Sequence, residues 1–166
     1  GCDGIYNFRE DAISFVPKSK IHFMGFGQFA SYEKKDMKLV YQWMIGDEKS
    51  EWYEKNFLDA DKIEMGNPAS GAGFNGRLVA FDVSLKEDFG VKPIIVEADQ
   101  VITILIKSNP DQERYYTFYG YSGEPEQRKK IEGQEFDDFE IKSSDLNRNY
   151  ASSTYGQVPY ILYNKA

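Results

Sequence analysis

The chain has little of what usually announces chemistry. Its 166 residues include one cysteine and one histidine. A single cysteine closes no internal disulfide, so the fold is held by non-covalent contacts. Cys2 at the terminus and a lone His22 supply no nitrogen–sulfur ligand set for zinc, and no metal site is expected. Any serine–histidine–aspartate arrangement would have to use His22, and no G-x-S-x-G turn accompanies it. Cations are also outnumbered: 20 Lys and Arg stand against 27 Asp and Glu, for a net charge of -7. Nucleic-acid binding works by displacing counterions from phosphate and does not fit that balance. No apolar run reaches the roughly 20 residues of a membrane-spanning helix. The longest, 94–106, is interrupted by Glu97, Asp99 and Gln100. The glycine-rich stretch 67–76 (NPASGAGFNG) lacks Gly-Lys-Ser/Thr and precedes a strand rather than a helix, so it reads as a loop and not as a phosphate cradle. No cofactor is implied.

What the chain does have is aromatic residues: 12 Tyr, 12 Phe and 2 Trp. A tyrosine ring fills apolar space while its hydroxyl needs a partner or water, which suits sheets with one wet face. Period-two alternation is plain in MKLVYQWMI, where Met37, Leu39, Tyr41, Trp43 and Ile45 share one face. It recurs at Val79, Phe81, Val83 and Leu85. In 21–29 (IHFMGFGQF), Gly25 and Gly27 lie two apart and mark a bulge, a bend or close backbone packing. Residues 101–106 are apolar on both faces, the pattern of a central strand covered on both sides. Further strands are expected at 93–97, 114–122, 135–142 and 158–163, the last at an edge because of Pro159. The stretch 46–61 reads either as a short helix or irregular excursion capped by Ser50, which is the expectation, or as a pairing strand, and for 124–133 a short surface helix is expected. About nine strands at short, regular spacing predict a single all-β domain, an antiparallel β-sandwich of jelly-roll or immunoglobulin-like type, with a lipocalin-like β-barrel as the alternative. The sandwich is expected over 21–166, behind an extended leader or tether at 1–20.

The first four residues, Gly1-Cys2-Asp3-Gly4, carry a resemblance. A lone cysteine at the terminus, followed by a polar stretch, resembles the mature start of a bacterial lipoprotein. The resemblance covers Cys2 and Gly1 only. It implies lipidation of Cys2, a membrane anchor of more than one acyl chain and a place in the cell envelope. It names no family for the domain that follows.

Candidate binding residues come from the aromatics. Tyr115, Tyr119 and Tyr121 share one face of a predicted strand, and Trp52 and Tyr53 adjoin a predicted turn. Exposed rings of this kind stack on the apolar faces of sugars while neighbouring amides and carboxylates bond the hydroxyls. The acidic groups Asp59, Asp61 and Glu64 lack the spacing of a calcium loop and read as a solvated turn. Asp137-Asp138 and Glu97/Asp99 read the same way. The expectation is a lipid-anchored, non-catalytic binding or accessory module whose partner is a glycan or another envelope protein. The alternatives are a carrier of a small apolar ligand and a carbohydrate-active enzyme using paired carboxylates.

Overall fold

Alternation decides the first layer. Met37, Leu39, Tyr41 and Trp43 are buried, Lys38 is exposed, and Val40, Gln42 and Met44 are half-buried, so the segment presents one face to a core and one to solvent. The computed structural model describes residues 4–8, 10–69, 76–108, 115–121, 138–143 and 155–166. Its strands are β1 (Gly4–Phe8), β2 (Glu10–Pro17), β3 (Ile21–Phe29), β4 (Met37–Ile45), β5 (Glu48–Lys49), β6 (Tyr53–Phe57), β7 (Ile63–Ala69), β8 (Gly76–Ser84), β9 (Ile94–Val96), β10 (Ile102–Ser108), β11 (Tyr115–Tyr121), β12 (Phe139–Ser143), β13 (Tyr155–Gly156) and β14 (Ile161–Lys165). A short helix α1 (Leu85–Phe89) follows β8. Ser84 Oγ caps it by accepting from Glu87 N at 3.2 Å, and Gly90 ends it in the left-handed conformation at φ 69°, as a C-terminal glycine does.

The strands form an antiparallel sandwich. One sheet runs β12-β2-β10-β4-β5, with β6 also on β4; the other runs β14-β3-β8-β7, with β9 also on β3. A smaller sheet, β1-β11-β13, adjoins them. The two large sheets face each other across an aromatic core. Phe26 of β3 meets Tyr41 of β4 edge-on at 5.0 Å, Phe81 of β8 meets Phe57 of β6 at 4.8 Å, and Tyr163 of β14 meets Phe139 of β12 at 4.8 Å. Such contacts add to the burial energy that holds the layers together. The sandwich expectation holds. The barrel alternative does not, because the described strands leave β12, β5, β14 and β7 as sheet ends. The twofold-apolar segment 101–106 is indeed central, with β10 between β2 and β4. The strand ending in Lys165 is an edge strand, as Pro159 implies.

Gly25 and Gly27 earn their places separately. Between Phe23 and Gly25 the register of β3 against β14 shifts by one residue. This bulge is why Phe23 and Phe26, three apart, both reach the core. Gly25 sits there at φ 153°, and an added Cβ would lie 2.0 Å from the Val83 carbonyl oxygen. A Cβ on Gly27 would lie 2.4–2.7 Å from three atoms of the Tyr160 ring.

Several expectations need correction. The leader was placed at 1–20, yet residues 10–17 are β2, buried from Asp11 to Pro17 and paired with both β10 and β12. Asp11, Ser14 and Pro17 gave the segment a polar, broken look, but all three are buried in the sheet. The helical excursion at 46–61 is instead a hairpin: β6 pairs with β4 from Met37↔Phe57 to Tyr41↔Tyr53, and only 59–61 make a 3-10 turn. Of the loop expected at 67–76, Asn67, Pro68 and Ala69 belong to β7 and Gly76 opens β8; 70–75 lie outside the described residues. The helix expected at 124–133 lies outside the described residues.

Candidate functional site

The hairpin joining β4 to β6 builds the surface of most interest. It turns at Gly46, whose φ of 59° suits glycine. Ser50 fixes its return leg: Ser50 Oγ accepts from Trp43 N at 3.0 Å and donates to the Glu51 carbonyl at 2.7 Å. Gln42 Nε2 donates to the Ser50 carbonyl at 2.8 Å. Beneath the hairpin Trp43 stacks on Tyr53, rings 5.1 Å apart and 6° from parallel, and Phe89 of α1 packs against both. This aromatic stack makes the base of the corner rigid.

A cleft of about 590 Å³ opens beside it. One wall is the hairpin, Ile45 to Ser50; Trp43 lies at its floor; the facing wall is Ile94 and Ile95 of β9 with Gln100. Ile95 is 55% exposed. The wall of β9 is held in place by its pairing with β3, His22↔Ile95. Asp47, Glu48, Lys49, Ser50 and Gln100 make the lining of this open cleft more polar than apolar, with Ile45, Ile94 and Ile95 as its apolar part.

The expected site residues divide. Trp52 is 44% exposed, with Lys107 Nζ 4.5 Å from its ring centroid, a cation–π contact, and it is not among the residues that line the cleft. Tyr53, its neighbour, points the other way into the stack under the hairpin. Tyr115 is not a surface platform: it is 2% exposed, and its hydroxyl accepts from Lys38 N at 3.1 Å. Tyr119 and Tyr121 lie on β11, opposite Gly4 of β1 and Tyr155 of β13 in the ladder. Cys2 lies outside the described residues. The acidic turn is an ion pair, with Lys62 Nζ 3.0 and 2.8 Å from the two oxygens of Asp59. Asp138 is bonded by the Tyr163 hydroxyl and Lys165, and Glu97 faces Lys20 at 3.7 Å.

Sequence reasoning missed a buried polar cluster. Tyr41 Oη donates to Gln28 Oε1 at 2.9 Å. Gln28 Nε2 and Thr117 Oγ1 both donate to Gln157 Oε1 at 3.0 Å. The Gln157 backbone N donates to Asp11 Oδ2 at 2.9 Å, and its carbonyl accepts from Phe29 N at 3.0 Å. Burial raises the Tyr41 phenol above its ordinary range, with the Asp88 charge adding to it. Burial likewise pushes the Asp11 carboxyl up to about 7, against backbone hydrogen bonds from Gln157 and Ala12 that lower it. No local pattern marks these residues, because their partners come from distant strands.

Compared with known proteins, residues 4–164 match the family model described as the PHR domain, and no curated protein matches the chain.

Proposed function

The chain belongs to the PHR domain family, and from that premise we propose that it is a non-catalytic binding module whose ligand is a glycan. The observation that carries this reading is the corner between β4, β6 and β9. There an open cleft of about 590 Å³ combines charged and amide groups with Ile45, Ile94 and Ile95, and the exposed Trp52 ring, outside that lining, follows the hairpin in the chain. Carboxylates, an amide and an ammonium on the rim match sugar hydroxyls, and apolar walls match the faces of the ring. The arrangement favours binding over hydrolysis. Glycoside hydrolysis needs two carboxylates facing each other across the bond. Asp47 and Glu48 share the hairpin wall, and the facing residues Ile94, Ile95 and Gln100 carry none. An apolar-ligand carrier would want an enclosed cavity, and this cleft is rimmed with charge.

A glycan array read with the wild type and with Trp52→Ala tests the reading. Binding to at least one sugar class, weakened by the substitution without change in the far-UV spectrum, is the expected result. Silence across a broad array overturns it. A lipid anchor on Cys2 belongs to the same proposal. Because β1 starts at Gly4, two residues on, an acylated Cys2 would hold the β1–β11–β13 sheet within about 10 Å of the bilayer. Production with the native upstream sequence in a bacterial host tests it: the wild type partitions into a detergent phase and Cys2→Ser does not. Equal partitioning ends that part of the proposal.

A further inference from the structure

Asp11 is a carboxylate where a charge is costly. It is 4% exposed, and among the described residues Oδ1 has no hydrogen-bond partner. Its other oxygen accepts the backbone N–H of Gln157 at 2.9 Å. Gln157 is in turn the hub that joins the three sheets: it bonds Phe29 and Gln28 of β3, Thr117 of β11 and, through Gln28, Tyr41 of β4. It also directly follows β13 in the chain. This buried junction, which Asp11 closes from β2, fastens the small sheet to the sandwich together with the Ser31↔Thr117 bridge and the Lys38 N to Tyr115 hydroxyl bond. An ionised carboxylate there keeps one oxygen desolvated and unbonded.

We propose that Asp11 is a proton-operated latch on this junction. Protonated, it stays buried with Gln157 docked; ionised, it favours a state in which water reaches Oδ1 and the contacts of Gln157 loosen. Among the described residues, Gln157 donates to Asp11 and Ile106 of β10 stands opposite it in the ladder, while Thr117 of β11 and Gln28 of β3 reach the junction through the Gln157 side chain; none of these is charged. The Tyr41 phenol of β4 is linked to the same junction through Gln28. Glu10 and Lys107, one residue away on β2 and β10, pair with each other in the ladder and alternate to the opposite face. Burial without a compensating charge holds the Asp11 carboxyl at about 7, so the latch works around neutral pH. The proton released goes to solvent.

Two measurements on the whole chain test it. A carbon-13 titration of the Asp11 carboxyl in the wild type should give a midpoint near 7, and a midpoint below 5 overturns the proposal whatever any variant does. Hydrogen exchange, corrected for the intrinsic pH dependence of the rate, should show protection at the Gln157 and Phe29 amides falling at least tenfold between pH 5.5 and 8.5. Asp11→Asn keeps the shape and the acceptor for Gln157 N but cannot ionise. It should hold protection within about threefold over the same range. Protection that falls equally in both proteins, or in neither, sinks the latch.

Discussion

Gln28 and Gln157 meet side chain to side chain in the interior, Nε2 to Oε1 at 3.0 Å, although 129 positions separate them in the chain. Both are almost wholly buried. Each amide also serves a second partner, Tyr41 for Gln28 and Thr117 for Gln157. Polar groups so deep specify one arrangement of the sheets, because any slip leaves them unpaired at a cost of about 1–3 kcal/mol each.

That cost is measurable. Gln28→Leu removes the acceptor of the Tyr41 hydroxyl while Gln157 Oε1 keeps Thr117. The expected loss of stability is about 2–3 kcal/mol in urea unfolding. Adding Tyr41→Phe removes the orphaned hydroxyl and should recover part of that loss, giving a coupling of at least 0.5 kcal/mol in the double-mutant cycle. Strict additivity would mean that the Tyr41–Gln28 bond contributes nothing.

The second prediction concerns pH. Asp11 rises from 3.8 to about 7 on folding, so between those values the native state holds a proton that the unfolded chain has released. Stability from this group is therefore greatest below pH 4, declines as pH rises, and is fully lost above 7. The shift of roughly three units corresponds to about 4 kcal/mol at most. Urea midpoints between pH 5 and 8 should fall with pH in the wild type and flatten in Asp11→Asn. A wild-type slope retained by the variant would place the dependence in other groups.

The glycines of β3 give a third. Gly25→Ala forces a Cβ to 2.0 Å from the Val83 carbonyl, with the backbone at φ 153°. Backbone cannot move aside cheaply, so this variant should lose more than about 3 kcal/mol or fail to fold. Gly27→Ala meets a ring, that of Tyr160, and should cost about 1–3 kcal/mol. Tyr160→Ala should remove that added penalty in the double mutant, although it also breaks the Tyr160–Asp82 hydrogen bond. Thermal denaturation of these four variants beside the wild type decides it.

These residues also show what the chain declares and what it conceals. β4 and β10 were legible because their inward positions are apolar up to the buried Ser108 that ends β10. β2 was not, because an inward Asp11 and a buried Ser14, bonded to Thr103 at 2.9 Å, give the polar look of a leader. β6 was misread for a similar reason. Between Tyr53 and Phe57 its inward position is Lys55, which is neutralised by Asp88 at 2.7 Å, and a lysine there breaks the period-two signal. Trp52 was legible as an exposed aromatic, whereas Tyr115 was not legible as core, since its partner Lys38 lies 77 residues away. The cleft had no local signature at all, because its two walls come from separate sheets.

The two tryptophans supply the last prediction, since they lie nine residues apart on one corner and have opposite duties. Trp43 is 3% exposed and stacked on Tyr53, with Phe89 against both rings. Truncating it opens a cavity in the core, so Trp43→Ala should cost about 3–5 kcal/mol, and any loss of binding would follow the loss of fold. Trp52 stands in solvent against Lys107, a contact of about 0.5–1 kcal/mol. Trp52→Ala should therefore shift stability by no more than about 1 kcal/mol while weakening glycan binding at least tenfold, about 1.4 kcal/mol. Calorimetric titration and thermal melts on the same samples separate the two effects. If Trp52→Ala binds as the wild type does and Gln100→Ala does not, the ligand sits in the cleft alone. If neither substitution alters affinity, the ligand is held elsewhere on the sandwich and this corner is not its site.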